Sequence, residues 1–370
     1  MPNLRRVLFS PAVGLLAASL TLLATQAALN ASSPETVPVE SAAPRPARRE
    51  VIAQLAAKLE STYVNPETGA RYAAMLRARL AQGAYDDLTD AGVLAAKLTA
   101  DLQAVESDGH LRVALESELQ MGPRRVRRDP AHAPEGPAPA ENFRPRTRRP
   151  PMEDEKWISE GVAYVRFNEF PSTPESVAAV DRFMQDHATA RAIIIDARTL
   201  RGGSIGEMTV MLPYLYGRET TLVAMDVSSR IANSRGPLPE DSPAMRAVKA
   251  PPGISRREHF VLPHSTEHRL FAAKICYLIS PGTASAGEHL ALAFKRTHRA
   301  ILIGEHTAGA NHFGGFEPLG QGFAVFLPVG RTIDPDTGKD WEGAGIEPDI
   351  IVPADQALDV ALRRLANNEP

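Results

Sequence analysis

Ser285 lies in Ile279-Ser280-Pro281-Gly282-Thr283-Ala284-Ser285-Ala286-Gly287-Glu288, where an apolar run reads as a strand entering a tight turn and then a helix. A hydroxyl at that junction is presented at a strand's carboxyl end, beside the unpaired N–H groups and positive dipole end of the helix. Those donors suit an oxyanion. The hydroxyl itself is barely ionised and needs a base before it can act as a nucleophile. The same residue type in the same place also serves as a plain helix cap. Two further loops follow apolar strands. In Asp196-Ala197-Arg198-Thr199-Leu200-Arg201-Gly202-Gly203-Ser204 the paired glycines allow backbone to approach a ligand, and the N–H of Gly203 is a candidate second oxyanion donor; an ordinary tight turn uses the same residues. Gly304-Glu305-His306-Thr307-Ala308-Gly309-Ala310-Asn311 is the third loop, able to line a site with Gly202, His306, Thr307 and Gly309 or simply to turn the chain. A phosphate cradle is disfavoured, because the Walker and dinucleotide spacings are missing.

The base must come from elsewhere. The chain has ten histidines. His110 stands in Ser107-Asp108-Gly109-His110-Leu111, just past a helical stretch, and a lone histidine is more often structural than catalytic. His289 is a local rival, four residues beyond Ser285 on the same helix. His264 and His268 have the i, i+4 spacing of metal ligands, but no third ligand accompanies them, so neither a metal nor a cofactor is expected.

The elements that hold these loops are legible from hydrophobic period. Val51, Ile52, Leu55 and Leu59 share one helical face, Tyr72, Met75, Leu76 and Leu80 a second, and Leu94, Leu98, Leu102 and Val105 a third. Residues 49–115 are therefore expected to form a small helical unit that must dock on something larger. Residues 116–156 are expected to be an Arg/Pro-rich loop or linker, with Arg124, Arg125, Arg127, Arg128, Arg144, Arg146, Arg148 and Arg149 among many prolines. From 157 to 360 the runs Val162–Phe167, Ala192–Asp196, Lys274–Ile279, Ala300–Gly304, Phe323–Leu327 and Ile350–Val352 alternate with helical patterns. That alternation predicts an α/β domain whose sheet is mostly parallel and covered by helices. Its sites belong at the strands' carboxyl ends.

Composition limits the function. The 370 residues are 44% hydrophobic and 23% charged with a net charge of −3; this suits a globular protein and argues against nucleic acid as a partner. The single cysteine, Cys276, excludes an intrachain disulfide. Arg5-Arg6, the apolar run Ala12–Ala24 and the small residues Ala27, Ala28 and Ala31 read as a secretory signal over 1–31, followed by a flexible tether over 32–48. An exported protein, periplasmic or secreted, with no stable membrane span after signal removal is the expectation; an uncleaved anchor is the alternative.

Thr283-Ala284-Ser285-Ala286-Gly287-Glu288, Gly304-Glu305-His306-Thr307-Ala308-Gly309 and Gly343-Ala344-Gly345-Ile346-Glu347-Pro348-Asp349, with the Asp196–Gly203 turn, resemble the tail-specific, or C-terminal-processing, protease family over roughly residues 50–360. The resemblance implies a crotonase-like or ClpP-like α/β core. That family pairs its serine with a lysine where this chain has Ala310, and no lysine stands between Lys295 and Lys339. Its peptide-binding PDZ insert also looks absent, and Leu200 stands where the family usually has Asn. The chain looks closer to the branch with the tricorn protease core and the interphotoreceptor retinoid-binding protein modules. That branch implies Ser285 as nucleophile, His110 as general base and Glu342 as orienting carboxylate (Glu347 is the fallback), with the N–H groups of Gly203 and Ala286 as the oxyanion hole. The implied activity is a serine peptidase acting on peptide or unfolded protein through an acyl-enzyme. The alternatives are a non-catalytic module for apolar, retinoid-like ligands and a small-ester hydrolase.

Overall fold

The computed structural model describes residues 45–121, 149–235 and 242–367. The expected signal, most of the tether and most of the Arg/Pro-rich stretch lie outside the described residues.

Three helices open the chain: α1 (Arg45–Thr62), α2 (Pro66–Ala81) and α3 (Ala91–Val105). The starts of α2 and α3 follow from local chemistry. Asn65 accepts the amides of Glu67 and Thr68 ahead of Pro66, and Asp90 accepts that of Val93. α1 begins at Arg45, inside the expected tether. Arg48 is the reason: it is 6% exposed and its guanidinium donates to the Asp86 carbonyl at 2.9 Å. The stripes read from sequence do face inward, with Leu55, Leu59, Leu76, Leu94, Leu98 and Leu102 at 0% exposure. They close on Phe323, Val325 and Leu327 from another part of the chain. Burying each such side chain stabilises by about 1.5–3 kcal/mol, which the three helices could not achieve alone.

The rest comprises β1 (Arg112–Leu115), α4 (Glu116–Met121), β2 (Met152–Ser159), β3 (Val162–Phe167), α5 (Pro174–Asp186), β4 (Ala192–Asp196), α6 (Gly206–Met211), β5 (Thr220–Ser228), α7 (Ser229–Arg235), β6 (Met245–Val248), β7 (Ile254–Val261), β8 (Lys274–Ile279), α8 (Ala286–Thr297), β9 (Ile301–Gly304), β10 (Phe313–Gly320), β11 (Phe323–Ile333), β12 (Ile350–Ile351) and α9 (Ala357–Ala366). Two six-stranded sheets result. One runs β12-β9-β8-β4-β3-β2 and is parallel except for the β2–β3 pair. The other runs β1-β11-β5-β7-β6 with β10 also on β11, and every pair in it is antiparallel.

A mostly parallel sheet is therefore only half the architecture. Of the antiparallel sheet the sequence reading caught only Phe323–Leu327 of β11, because strands such as β7 and β10 carry weak signals. β7, Ile254-Ser255-Arg256-Arg257-Glu258-His259-Phe260-Val261, is largely polar, and β10 holds three glycines and a proline. Arg256 in β7 survives there by pairing with Asp226 of β5 at 2.6 Å. The boundaries shift for similar reasons. β1 leaves the helical unit to pair with β11, α4 occupies the start of the expected linker, β2 begins at Met152 rather than 157, and α9 extends the domain to Ala366.

The parallel sheet is buried on both faces. Ile193 and Ile195 pack with α5, α6 and α8 side chains, while Ile194, Cys276 and Leu278 pack under α9. Such two-sided burial is what the continuous apolar runs of β4 and β8 demanded. The order β9-β8-β4 also makes neighbours of the three loops that sequence had singled out.

Candidate active site

β8 leads directly into the turn before α8, and Ser285 sits on that turn with φ 54° and ψ −117°. A non-glycine side chain at positive φ is held under strain, which persists only where the surroundings over-determine it. They do so here. The Ser285 amide donates to Oε2 of Glu288 at 2.9 Å, and that carboxylate, 0% exposed, also accepts the amides of Ala310 (2.8 Å) and Gly309 (2.7 Å) and the hydroxyl of Thr307 (2.6 Å). Thr283 pins the same turn to the carbonyl of Ala197 at 2.8 Å, and Ser280 pins it to that of Arg198 at 2.7 Å.

The loop after β4 lies against this turn. A Cβ on Gly202 would stand 2.6 Å from Cβ of Ser285 and 3.1 Å from the Ala286 nitrogen. Gly203 has φ 125°, and a Cβ there would stand 2.1 Å from the Phe170 carbonyl, which accepts the Ser204 amide instead. Only bare backbone fits at either position. Among the described residues the amides of Gly203 and Ala286 make no hydrogen bond, and Gly203 is exposed. Leu200, standing where the resembled family has Asn, is fully buried against Gly287, and its carbonyl accepts the Ala284 amide at 2.9 Å. Packing and a backbone bond hold this turn. At the foot of the loop Asp196 is ringed by Arg166, Arg198 and Tyr164. Burial raises its pKa, but Arg198, Tyr164 and Arg166 together more than compensate and hold the carboxyl below its ordinary value.

The segment carrying His110 reaches this region from the helical unit. Gly109 packs on Ala310, with an added Cβ at 2.9 Å from the alanine's own, so backbone covers Ala310 in place of a lysine side chain. The Gly109 amide donates to Oε1 of Glu342 at 2.9 Å. Oδ1 of Asp108 accepts the amides of His110 (2.8 Å) and Leu111 (3.0 Å). The His110 ring stacks on Phe326 at 5.3 Å and 23°. Burial, more than the opposing Asp108 charge, holds the ring below its ordinary pKa. Its Nδ1 is buried and has no partner among the described residues, so no hydrogen bond runs from it to Ser285 or Glu342. Catalytic hydrogen bonds in a free enzyme are often long and tighten with ligand.

Glu342 spends its oxygens on backbone: Oε1 on Gly109, Oε2 on Asn311 (2.7 Å) and His312 (3.0 Å). Burial pushes its pKa up, and nearby His312 partly opposes this. Glu347, the fallback, is exposed, and its carbonyl accepts from Lys295. His306 is also exposed, whereas Thr307 and Gly309 reach the Ser285 turn through Glu288. The rival imidazole of His289 points elsewhere: its Nε2 lies 2.8 Å from Nδ1 of His259, and both rings are buried. His264 and His268 take local partners, His264 Nδ1 from the Glu267 amide and His268 Nε2 with the His264 carbonyl.

Sequence reasoning passed over Tyr63 and His312. Oδ2 of Asp108 accepts the Tyr63 hydroxyl (2.7 Å) and pairs with Nδ1 of His312 (2.8 Å), whose ring is also 3.7 Å from Oε2 of Glu342. His312 lies 204 residues from Asp108, and no spacing rule connects them. Asp108, His312 and Glu342 lie close enough to share a metal ion. Their carboxylate oxygens are already engaged by amides, a hydroxyl and an imidazole, so an ion would have to displace those donors. Among the described residues no helix is long and apolar enough to cross a membrane.

A serine at positive φ on a strand-to-helix turn, with the Gly202 backbone packed against it, fits a serine hydrolase. The chain belongs to peptidase family S41, whose profile matches residues 161–352, and residues 42–146 match the N-terminal domain of that family found in eukaryotic IRBP. It is 26% identical over 191 residues to the chloroplastic carboxyl-terminal-processing peptidase 1 of Arabidopsis thaliana, covering 51% of this chain and 33% of that protein. Against peptidase 3 of the same plant it is 24% identical over 190 residues, covering 51% and 31%. The chain thus spans about a third of the length of these curated relatives. The fold is similar to that of a photosystem II D1 C-terminal processing protease, with a TM-score of 0.52 at 16% identity over 83% of this chain and 94% of that one. It is equally similar to a peptidase-like protein of Parabacteroides merdae, with a TM-score of 0.52 at 13% identity over 86% and 95%.

Proposed function

We propose that this protein is an exported serine peptidase that hydrolyses peptide bonds through an acyl-enzyme on Ser285. The observation that carries the reading is the Ser285 turn. It combines a strained nucleophile position, Gly202 backbone against the serine, and unengaged amides at Gly203 and Ala286.

Oγ of Ser285 attacks the scissile carbonyl carbon and passes its proton to His110. The carbonyl oxygen becomes an oxyanion and takes hydrogen bonds from Gly203 and Ala286. As the intermediate collapses, His110 returns the proton to the departing amine. Water then enters, gives a proton to His110 and adds to the ester carbonyl, and the acid leaves as Ser285 regains its proton. The lowered pKa of His110 keeps the free imidazole neutral, as a base must be. Glu342 serves through Gly109, fixing the segment that carries the base. The substrate class is peptide or unfolded protein. Membership of peptidase family S41 and the similarity to carboxyl-terminal-processing peptidases support that class. The charged start and apolar run of residues 5–24 support export.

The test is labelling by a fluorophosphonate together with cleavage of an unstructured peptide pool. Wild type should do both and Ser285→Ala neither. Wild type inert to probe and pool would overturn the reading, and cleavage confined to small esters would replace it with the esterase alternative.

A further inference from the structure

Asp108 stands between two parts of the molecule. Its backbone and that of Leu111 are held from the helical unit by Gln103, whose amide group donates to the carbonyls of Asp108 and Leu111 at 2.8 Å each and accepts the Asp108 amide at 3.0 Å. Its side chain divides its work by oxygen. Oδ1 carries the amides of His110 and Leu111, and Oδ2 carries Tyr63 and His312. Of these partners only His312 comes from the α/β body, on the loop two residues beyond Ala310. A carboxylate is rigid and planar, so whatever fixes Oδ2 also fixes Oδ1 and the amide hung on it.

We propose that His312 is a positioning residue: its ring anchors Asp108 Oδ2 to the α/β body and thereby sets where the His110 backbone, and with it the base, stands. The inference rests on His110 being the base. His312 is not offered as a base itself, since its Nδ1 is committed to Asp108 and its ring meets Tyr63 edge-on at 6.3 Å and 89°. The groups facing it are Asp108, Glu342, Tyr63, Asp340 and His110. Hydrogen bonding to Asp108 and the nearby carboxylates raise its pKa despite burial, which fits a ring held as a donor to that oxygen.

The experiment compares His312→Leu, His312→Asn and Tyr63→Phe in the full chain. Asn places an amide NH₂ near the Nδ1 position and can still donate to Oδ2; Leu cannot. Thermal unfolding checks folding, and the readouts are the rate of Ser285 phosphonylation, kcat and KM on peptide, and the NMR titration of the His110 ring. His312→Leu should slow phosphonylation and kcat by roughly tenfold or more with KM nearly unchanged, since small misplacements of a catalytic group cost up to about 10²-fold. It should also shift the His110 titration. His312→Asn should restore both, and Tyr63→Phe should do less harm than Leu. A Leu variant with wild-type labelling and an unmoved His110 titration would overturn the proposal, as would an Asn variant as defective as Leu. If wild type is never labelled, the peptidase reading fails and the His110 titration alone decides: a shift in Leu reversed by Asn upholds the placement, and no shift sinks it.

Discussion

The amides of Ser285 and Ala310 donate to one oxygen, Oε2 of Glu288, at 2.9 and 2.8 Å. A single buried carboxylate thus ties the Ser285 turn to the loop on which the helical unit's His110 segment rests. Glu288→Gln keeps the size but puts an NH₂ where two donors point, or swings it toward Thr307 and Gly309. Each buried donor left unpaired costs about 1–3 kcal/mol. Urea unfolding should show a loss of at least that size. kcat should fall by roughly 10²-fold as the serine loses its position. Wild-type stability and turnover in this variant would mean that the turn holds itself.

Gly202→Ala would set a methyl 2.6 Å from the Ser285 Cβ and 3.1 Å from the Ala286 nitrogen, at a φ of 102° that alanine resists. In the proposed mechanism the oxyanion forms beside this turn, and the methyl would crowd it. Removing one oxyanion donor costs about 10²–10³ in kcat, so a loss at the upper end of that range is expected. Steady-state kinetics on an ester and a peptide should show it for both substrates. A loss confined to KM would argue that Gly202 borders the substrate rather than the oxyanion.

Much of this site was legible because its parts sit at ends of apolar runs. β4, β8 and β9 announced themselves, and the residues after them, Gly202, Gly203, Ser285, Thr307 and Gly309, followed from where such strands end. Apart from the Phe323–Leu327 run of β11, the antiparallel sheet was not legible, because strands such as β7 mix arginine, glutamate and histidine into the run and pair their charges across the ladder. His312 was invisible for a different reason. Its partner is distant in sequence, and an imidazole between two carboxylates leaves no periodic trace. The roles proposed for Ser285, His110 and Glu342 rest on resemblance, and the geometry adds that Glu342 grips Gly109 through backbone rather than the His110 ring.

Ala310 fills the place where the resembled family carries its lysine, and Gly109 lies on it. Ala310→Lys should therefore fail to create a second dyad. The longer side chain must push Gly109 away, taking the Gly109–Glu342 hydrogen bond and the His110 segment with it. Gly109→Ala makes the same point from the other side, since its methyl would stand 2.9 Å from the Ala310 Cβ. Both variants should lose roughly 10²-fold in kcat while keeping their secondary structure by circular dichroism. Rescue of a His110→Ala variant by Ala310→Lys would contradict this arrangement directly.

Acid should weaken the fold through the buried His259–His289 pair. Burial lowers the pKa of His259 from 6.5 to about 4 and holds that of His289 well below 6.5. Below pH 6.5 the unfolded chain therefore binds protons at these rings that the folded chain refuses, and stability falls as pH drops from about 6.5 toward about 4. His110 acts in the same direction. His312 acts in the other: its pKa is raised, so its contribution is full below 6.5 and is lost as pH rises through the raised value. Replacing the pair with apolar residues, His259→Phe with His289→Leu, removes two of the opposing groups and leaves His312 in place. Thermal unfolding across this range should show a clear acid decline for wild type and a flatter one for the double variant. An unchanged acid slope in a double variant that still folds would show that other groups set the acid limit.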